Sequence, residues 1–344
     1  MMKKLFILAA LSITIFTGCD FKPRSWWQEP GIAVMADSTD WAAVNGPLRL
    51  VFGRAIRTPQ PESMYTLIHV KKSDFERYLR FKYIILAATL ESEGFFGKLV
   101  NQMVADSTVR QRIQDDGGFV LTRVNQWARR QCLIILVAAH RSALEQLIET
   151  DREALFTFID NDFRVFLEKD MFFRREQEDV SERLLRTCGW TIRIQKDFYV
   201  LREEPAEGFV WFRRLYPERW VFVRWMEDTQ EELPSLEWVV EERNRIAREY
   251  YSGDVVDEDN YLYSRNATFR DRPAVLTTGL WKNDSLEIGG PFRNYSFLDK
   301  MAGRRYMIDM AVYAPGKDKL PYLRRLDVMT HTFRTLFETK DASD

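Results

Sequence analysis

The chain has 344 residues, 46% of them hydrophobic and 29% charged, which is enough for one large or two modest cores in an ordinary folded protein. A formal net charge of −1 leaves no footprint for nucleic acid, which calls for a strongly basic domain. The 3 histidines and 3 cysteines show no HExxH, HxH or CxxC spacing, so no metal site is expected, and no glycine-rich phosphate cradle suggests a cofactor.

The first residues read as an address. Met1-Met2-Lys3-Lys4 is basic, Leu5 to Phe16 is apolar, and Thr17-Gly18 is small before Cys19, the three parts of a secretory signal in order. A helix of that apolar length rises about 18 Å against a hydrocarbon core of about 30 Å, too short to span. Thr-Gly-Cys resembles the lipobox of bacterial lipoproteins, in which the thiol is acylated and the chain is cut before it. The expectation is a signal peptide over 1–18, lipidation at Cys19, and a lipidated tether over 19–30. Two or three acyl chains hold a protein firmly where one holds marginally. Trp26-Trp27 then lie at the headgroups or pack on the domain. Removing 1–18 takes away Lys3 and Lys4 and makes the net charge more acidic.

Next, "MYTLIHVKK" reads as a strand, and Ser73 with Glu76 forms a capping box that opens a helix to about Leu90. "DDGG" at 115–118 is a turn, and "QCLIILVAA" a buried strand. Two more capping boxes, Ser142/Glu145 and Thr150/Glu153, precede a stretch free of Gly and Pro up to Thr187, with Leu155, Ile159, Phe163 and Leu167 at helical spacing. A long helix or a bent pair is expected there, capped at Gly189. "WTIRIQKDFYVLRE" follows as strand. "GFVWFRRL" and "RWVFVRWM" read as an antiparallel pair turning at Tyr216-Pro217-Glu218, apolar on both faces. Pro234 starts a helix stopped near Gly253, strands follow at "AVLTTGLW" and "RRYMIDMAVYA", and a last helix runs from Leu320 to Phe337. The expected fold class is α+β with mainly antiparallel sheets and packed helices, and the recurrence of a strand-turn-helix unit points to two similar halves, 31–189 and 190–344.

No GxSxG elbow occurs. The acidic run "GDVVDEDNY" lacks the spacing of a calcium loop and reads as a solvated loop. Cys132 and Cys188 sit in apolar or helix-end contexts and are expected to be free and buried. "GLWKNDSLEIGGPF" bears two readings. Gly289-Gly290-Pro291 builds a bulged turn, or Trp281 and Phe292 form aromatic platforms for a sugar or peptide, with Tyr250, Tyr251, Tyr261 and Tyr263 beside them. Arg243 and Asn244 either line the same place or hydrogen-bond the long loops.

"TPQPESMYTL" (58–67), "NQWARRQ" (125–131), "FVWFR" (209–213), "ERNRIAREYYSG" (242–253), "GLW" (279–281) and "GGPF" (289–292) together resemble, over nearly the whole mature chain, the Bacteroidetes-type envelope lipoproteins grouped as domain of unknown function 4837 (DUF4837). The resemblance implies a lipoprotein and a shared fold, and no activity. "DFKPRS" after Cys19 lacks the acidic cluster of surface-exported relatives, so the domain is expected to face the periplasm. The expected function is non-catalytic binding in the cell envelope. The partners would be the membrane through the lipid and an envelope protein or glycan, held on the face of Trp281, Gly289, Gly290, Pro291 and Phe292. The alternative is an envelope hydrolase acting on glycan or peptidoglycan, which needs two carboxylates from separate segments in one cleft.

Overall fold

Two apolar runs, "YIILAAT" and "CLIILVA", organise the N-terminal half. Every residue of both is buried, which requires cover on both faces, as inside a parallel sheet. The computed structural model describes residues 22–173, 175–228, 232–251 and 253–341; the expected signal peptide and Cys19 lie outside them. This half runs β1 (Gly31–Met35), α1 (Ser38–Phe52), β2 (Ala55–Arg57), β3 (Pro61–Ser63), β4 (Thr66–Val70), α2 (Phe75–Tyr78), β5 (Tyr83–Thr89), α3 (Phe95–Met103), α4 (Ser107–Asp116), β6 (Gly118–Val124), β7 (Cys132–Ala138), α5 (Arg141–Thr150), α6 (Arg152–Phe172) and α7 (Glu178–Cys188). Its sheet has the order β4-β1-β5-β7-β6, the first four strands parallel and β6 antiparallel at the edge.

The helix expected from Ser73 to Leu90 is a single turn, α2, and the chain from Tyr83 is strand β5. Seven successive buried residues have no polar face to offer solvent, so the run fits the middle of a sheet and not an amphipathic helix. α5 is capped by the His140 imidazole, which faces the Ala143 N–H at 3.2 Å, and not by Ser142. Gly189 does end α7 in the left-handed region, at φ 77°.

The C-terminal half comprises β8 (Trp190–Thr191), β9 (Tyr199–Glu204), β10 (Phe209–Arg214), β11 (Glu218–Glu227), α8 (Leu236–Tyr250), β12 (Val255–Val256), β13 (Leu262–Phe269), β14 (Arg272–Asn283), β15 (Ile288–Asp299), β16 (Arg304–Tyr313), α9 (Leu320–Thr330), β17 (Arg334–Thr335) and α10 (Leu336–Asp341). Its main sheet is antiparallel with the order β12-β14-β15-β16-β11-β10-β9, and β13 pairs with β14. The β10–β11 hairpin is the one expected, Phe209 opposite Arg224 and Arg214 opposite Arg219. The last helix is broken: α9 stops at Thr330 and β17 intervenes before α10. The chain is α+β, mainly antiparallel, and falls into two halves. Their sheets differ in kind, because helices cross over between successive parallel strands in the first whereas short turns join most neighbours in the second.

The layers stack outward from one shared core. Val34, Ile85 and Ile134 of the parallel sheet, Phe163 of α6, Leu326 of α9 and Val223 and Ile308 of the antiparallel sheet belong to a single buried cluster. The far face of the parallel sheet is covered through Phe96, Val100 and Ile113, and the far face of the antiparallel sheet by α8. The segment read as tether is part of this body from Pro23 on. Ser25 N donates to Arg129 O at 3.0 Å, and Trp27 packs at 5.4 Å from Phe163 and 5.5 Å from Phe166.

At the C-terminal ends of β1 and β5, where the strand order reverses, the crevice is filled from within. Asp37 accepts from the N–H groups of Phe96 (3.3 Å) and Gly97 (2.8 Å) at the start of α3. Asp40, fully buried, accepts from Ser92 Oγ at 2.6 Å and pairs with Arg141 at 3.5 Å.

The halves are joined by a polar seam around Asp327. Its carboxylate accepts from Arg164 Nη1 at 2.9 Å and Tyr295 OH at 3.0 Å, with Arg293 Nη1 at 3.2 Å. Burial opposes the charge, yet His331, Arg164, Arg293 and the Tyr295 hydroxyl together hold the carboxyl well below its ordinary range. Beside it, Arg324 Nη2 donates to Asp160 and to Tyr65 OH, both at 2.7 Å, over the face of Phe163. A carboxyl depressed in the folded state stabilises it above its unfolded pKa of about 4, and the gain is lost as pH falls toward the folded value. Urea denaturation should therefore show wild-type stability dropping on acidification below about pH 4. Asp327→Asn should cost roughly 3 kcal/mol at neutral pH and flatten that acid dependence; an unchanged pH profile would count against the seam.

Candidate functional site

The register of β14 against β15 sets Gly279 opposite Phe292 and Trp281 opposite Gly290. Each large ring faces a residue that has no side chain. A Cβ at 279 would lie 2.6 Å from the Phe292 ring, and one at 290 would lie 2.0 Å from the Val312 carbonyl oxygen and 3.1 Å from Trp281 Nε1. Pro291 stands just past Phe292–Ala311, the last pair between β15 and β16, so its missing N–H costs no bond on that side. Gly289 to Phe292 is thus strand, not a bulged turn; the turn comes before it, at 284–287. Glycine and proline hid the strand because both are depleted in ordinary strands.

On the same face, Trp211 of β10, Trp220 of β11, Trp281, and Tyr250 and Tyr251 at the end of α8 wall a cavity of about 510 Å³. The rings brace one another: Trp211 lies 4.4 Å from Tyr251, and Trp220 5.2 Å from Trp281. Polar groups converge on the rim. Arg213 pairs with Glu218 at 2.7 Å, and Asp254 accepts from Asn283 Nδ2 at 2.9 Å. Burial lifts the Asp254 carboxyl above its ordinary value against the pull of Asn283 and Arg243, and Glu218 adds to the rise. The Tyr251 hydroxyl and Arg213 Nε are buried with no hydrogen-bond partner among the described residues.

Beneath the cavity runs a buried charge pair. Arg243 Nε donates to Asp309 Oδ2 at 3.1 Å, which also accepts from Asn294 Nδ2 at 3.1 Å, while the guanidinium lies 4.2 Å over Phe292. Burial raises the Asp309 carboxyl against the opposing pull of Arg243 and Asn294, and burial drives the Tyr251 hydroxyl far above its usual range.

Of the residues singled out from the sequence, Trp281 lines the cavity. Phe292 is a buried ring at 1% exposure, and Trp281 itself is only 2% exposed, so neither forms an open platform. Gly290 makes room for the Trp281 indole. Arg243 is a core residue, and Asn244 Oδ1 accepts from Val256 N at 2.8 Å, which holds the loop as one of the two readings had it. Asp254 and Asp257 of the supposed solvated loop are buried; Asn260 and Asn283 hold their carboxyls. Tyr263 is 52% exposed and does not line the cavity. Trp211, Trp220, Arg213, Glu218 and Tyr313 were legible only as strand residues or hairpin neighbours, since nothing local marks which strands share a face. Cys132 and Cys188 are free and buried, and burial pushes the Cys132 thiol up to about 12. Among the described residues no group of His, Cys, Asp and Glu could hold a metal ion.

Residues 177–332 match the family described as a domain of unknown function, DUF4837. The C-terminal half is a DUF4837 domain. Every cavity residue named above falls inside it. Residues 29–171 match a second family, the domain of unknown function DUF8532, so "TPQPESMYTL" and "NQWARRQ", grouped above with the DUF4837 resemblance, lie in a different domain. No curated protein matches the chain. Among solved structures, the chain is similar to cyanobacterial PsbP (CyanoP) from Synechocystis sp. PCC 6803, with 11% identity over 43% of this chain and 86% of that one at a TM-score of 0.29. It is also similar to the Saccharomyces cerevisiae Ran-binding protein Mog1p, with 11% identity over 43% of this chain and 90% of that one at 0.28. Likeness this slight transfers neither fold nor activity.

The Gly290 contacts in the DUF4837 domain give a direct test. Gly290→Ala forces the new methyl against a backbone oxygen that no side-chain rotation can move, and should cost about 1–3 kcal/mol, read as a shift in the urea midpoint. A neutral outcome would show that β15 and β16 can part freely beneath the cavity.

Proposed function

We propose that this is a lipid-anchored protein of the bacterial cell envelope, facing the periplasm, whose DUF4837 domain binds a carbohydrate-type ligand without transforming it. The observation that carries the reading is the aromatic cavity itself. Its volume falls in the range of about 300–1,000 Å³ common to small-ligand sites. Trp211, Trp220 and Trp281 line it as buried rings, which supply apolar contact to the C–H groups of a sugar. Arg213 donates, and Glu218 and Asp254 accept, so both halves of a hydroxyl's hydrogen bonding can be met. The anchor rests on the sequence of residues 1–19 alone.

One observation favours a second reading, hydrolysis of an envelope glycan. Glu218 and Asp254 come from separate segments to the same cavity. Glu218 is ion-paired, and the Asp254 carboxyl is raised, the asymmetry that an acid and a charged partner need.

Calorimetric titration with soluble peptidoglycan fragments and neutral oligosaccharides separates the two. Arg213→Ala and Tyr313→Ala, both at half-buried positions, should weaken binding at least about tenfold, or about 1.4 kcal/mol, with little change in melting. Binding unaltered by either would remove the cavity from consideration. New reducing ends that vanish in Asp254→Asn would establish the hydrolase instead. For the anchor, wild type should enter the detergent phase on Triton X-114 partitioning and Cys19→Ala the aqueous phase; equal partitioning would refute acylation.

A further inference from the structure

The face where the described chain begins is cationic. Arg24, Arg129, Arg130, Lys169 and Arg175 are all exposed, and among the described residues none of them forms an ion pair. The carboxylates packed nearby are mostly engaged. Asp162 is held by Lys82 at 2.6 Å, and Glu168 and Glu176 both pair with Arg193, at 2.9 and 2.7 Å. Asp170 alone among the carboxylates on the rim of the larger cleft remains to offset these cations.

The cations are not scattered. A cleft of about 720 Å³ is bordered by Arg24, Arg130, Lys169 and Arg175, and it adjoins a smaller one of about 270 Å³ that shares Arg130 and Lys169. Apolar side chains stand among them: Phe173 is 68% exposed, Val124 64% and Val165 51%. Cations with protruding apolar tips are what a protein needs to rest on anionic headgroups and dip into the acyl boundary.

The position of the chain decides the occupant. Pro23 O accepts from Arg129 N at 2.8 Å, so the backbone is fastened to this face only four residues after Cys19. Four residues span at most about 14 Å, comparable to the Debye length of about 8–10 Å at physiological salt. If Cys19 is acylated, this face and no other is drawn to the bilayer.

We infer that the face bearing Arg24, Arg130, Lys169, Arg175 and Phe173 is a docking surface for anionic phospholipid headgroups, whose phosphates enter the cleft. The inference rests on the anchor reading for its orientation, and on charge for its chemistry. The test uses the chain from residue 19 carrying Cys19→Ser, so that no acyl group contributes. Co-sedimentation with vesicles of phosphatidylglycerol and phosphatidylcholine should exceed that with phosphatidylcholine alone by at least about tenfold at low salt, and should fall as salt is raised. Arg130→Glu with Lys169→Glu and Arg175→Glu should lower vesicle partitioning at least about 100-fold, with an unchanged melting curve. Phe173→Ser alone should lower it several-fold.

Equal binding of wild type and the triple variant, equal binding to neutral vesicles, or preference for a soluble anionic glycan polymer would each overturn the inference. Because the thiol is absent from this assay, its failure leaves the acylation result standing. A failed detergent partition, conversely, leaves the vesicle result standing.

Discussion

Asp327 is a buried charge whose partners come from both halves of the molecule. Its partners come from α6 in the first half and β15 in the second, and burying it without them would cost several kcal/mol. The two halves cannot slide relative to one another without taking Arg164 away from it. That fixes the common core between them, and with it the two outward faces: the cavity of the DUF4837 domain on the far side of the antiparallel sheet, and the cationic clefts beside the N-terminal segment. Hydrophobic burial provides the bulk of the cohesion here, but it is non-directional, and the seam supplies the register that burial leaves open.

The cavity depends on a second register, that of β14 on β15. Trp281 and Phe292 sit on neighbouring strands on the same face, and each strand yields a glycine where the other needs space. The exchange keeps two wide rings within a sheet whose strands stay paired. It also explains why an arginine can lie buried beneath. Arg243 packs its guanidinium on the Phe292 face and donates to Asp309, so the floor combines a cation–π contact with an ion pair, and both hold α8 against the sheet.

How much of this was legible varied with the reach of the signal. The β10–β11 hairpin, β7, α8 and the Gly189 cap rest on local patterns and read true. At β5 a capping box four residues long points to helix, but the seven residues that follow with no polar face decide for strand. β15 looks like a turn in the sequence because the glycines that fit it to its neighbours are also the residues of turns. The cavity was legible in Trp281 and the stretch around it, and in Tyr250 and Tyr251. Trp211, Trp220, Glu218 and Asp254 reach it from three other segments, and the register that unites them is long-range and cannot be counted off along a chain. Trp26 and Trp27 fit lipid or protein by sequence, and pack on protein.

The four parallel strands of the N-terminal sheet, β4-β1-β5-β7, run in the order of doubly wound folds, which take ligands outside the carboxyl ends of their strands where the order reverses, often as phosphates against a helix N-terminus. In this chain that seat is taken. Asp37 already receives the first N–H groups of α3, and Asp40 lies sealed beside it with Ser92. An incoming anion would compete with a carboxylate that is covalently attached and pre-positioned, at an effective concentration no free solute matches. This half is self-liganded: it keeps the frame of a binding fold and holds in the seat an anion it made itself.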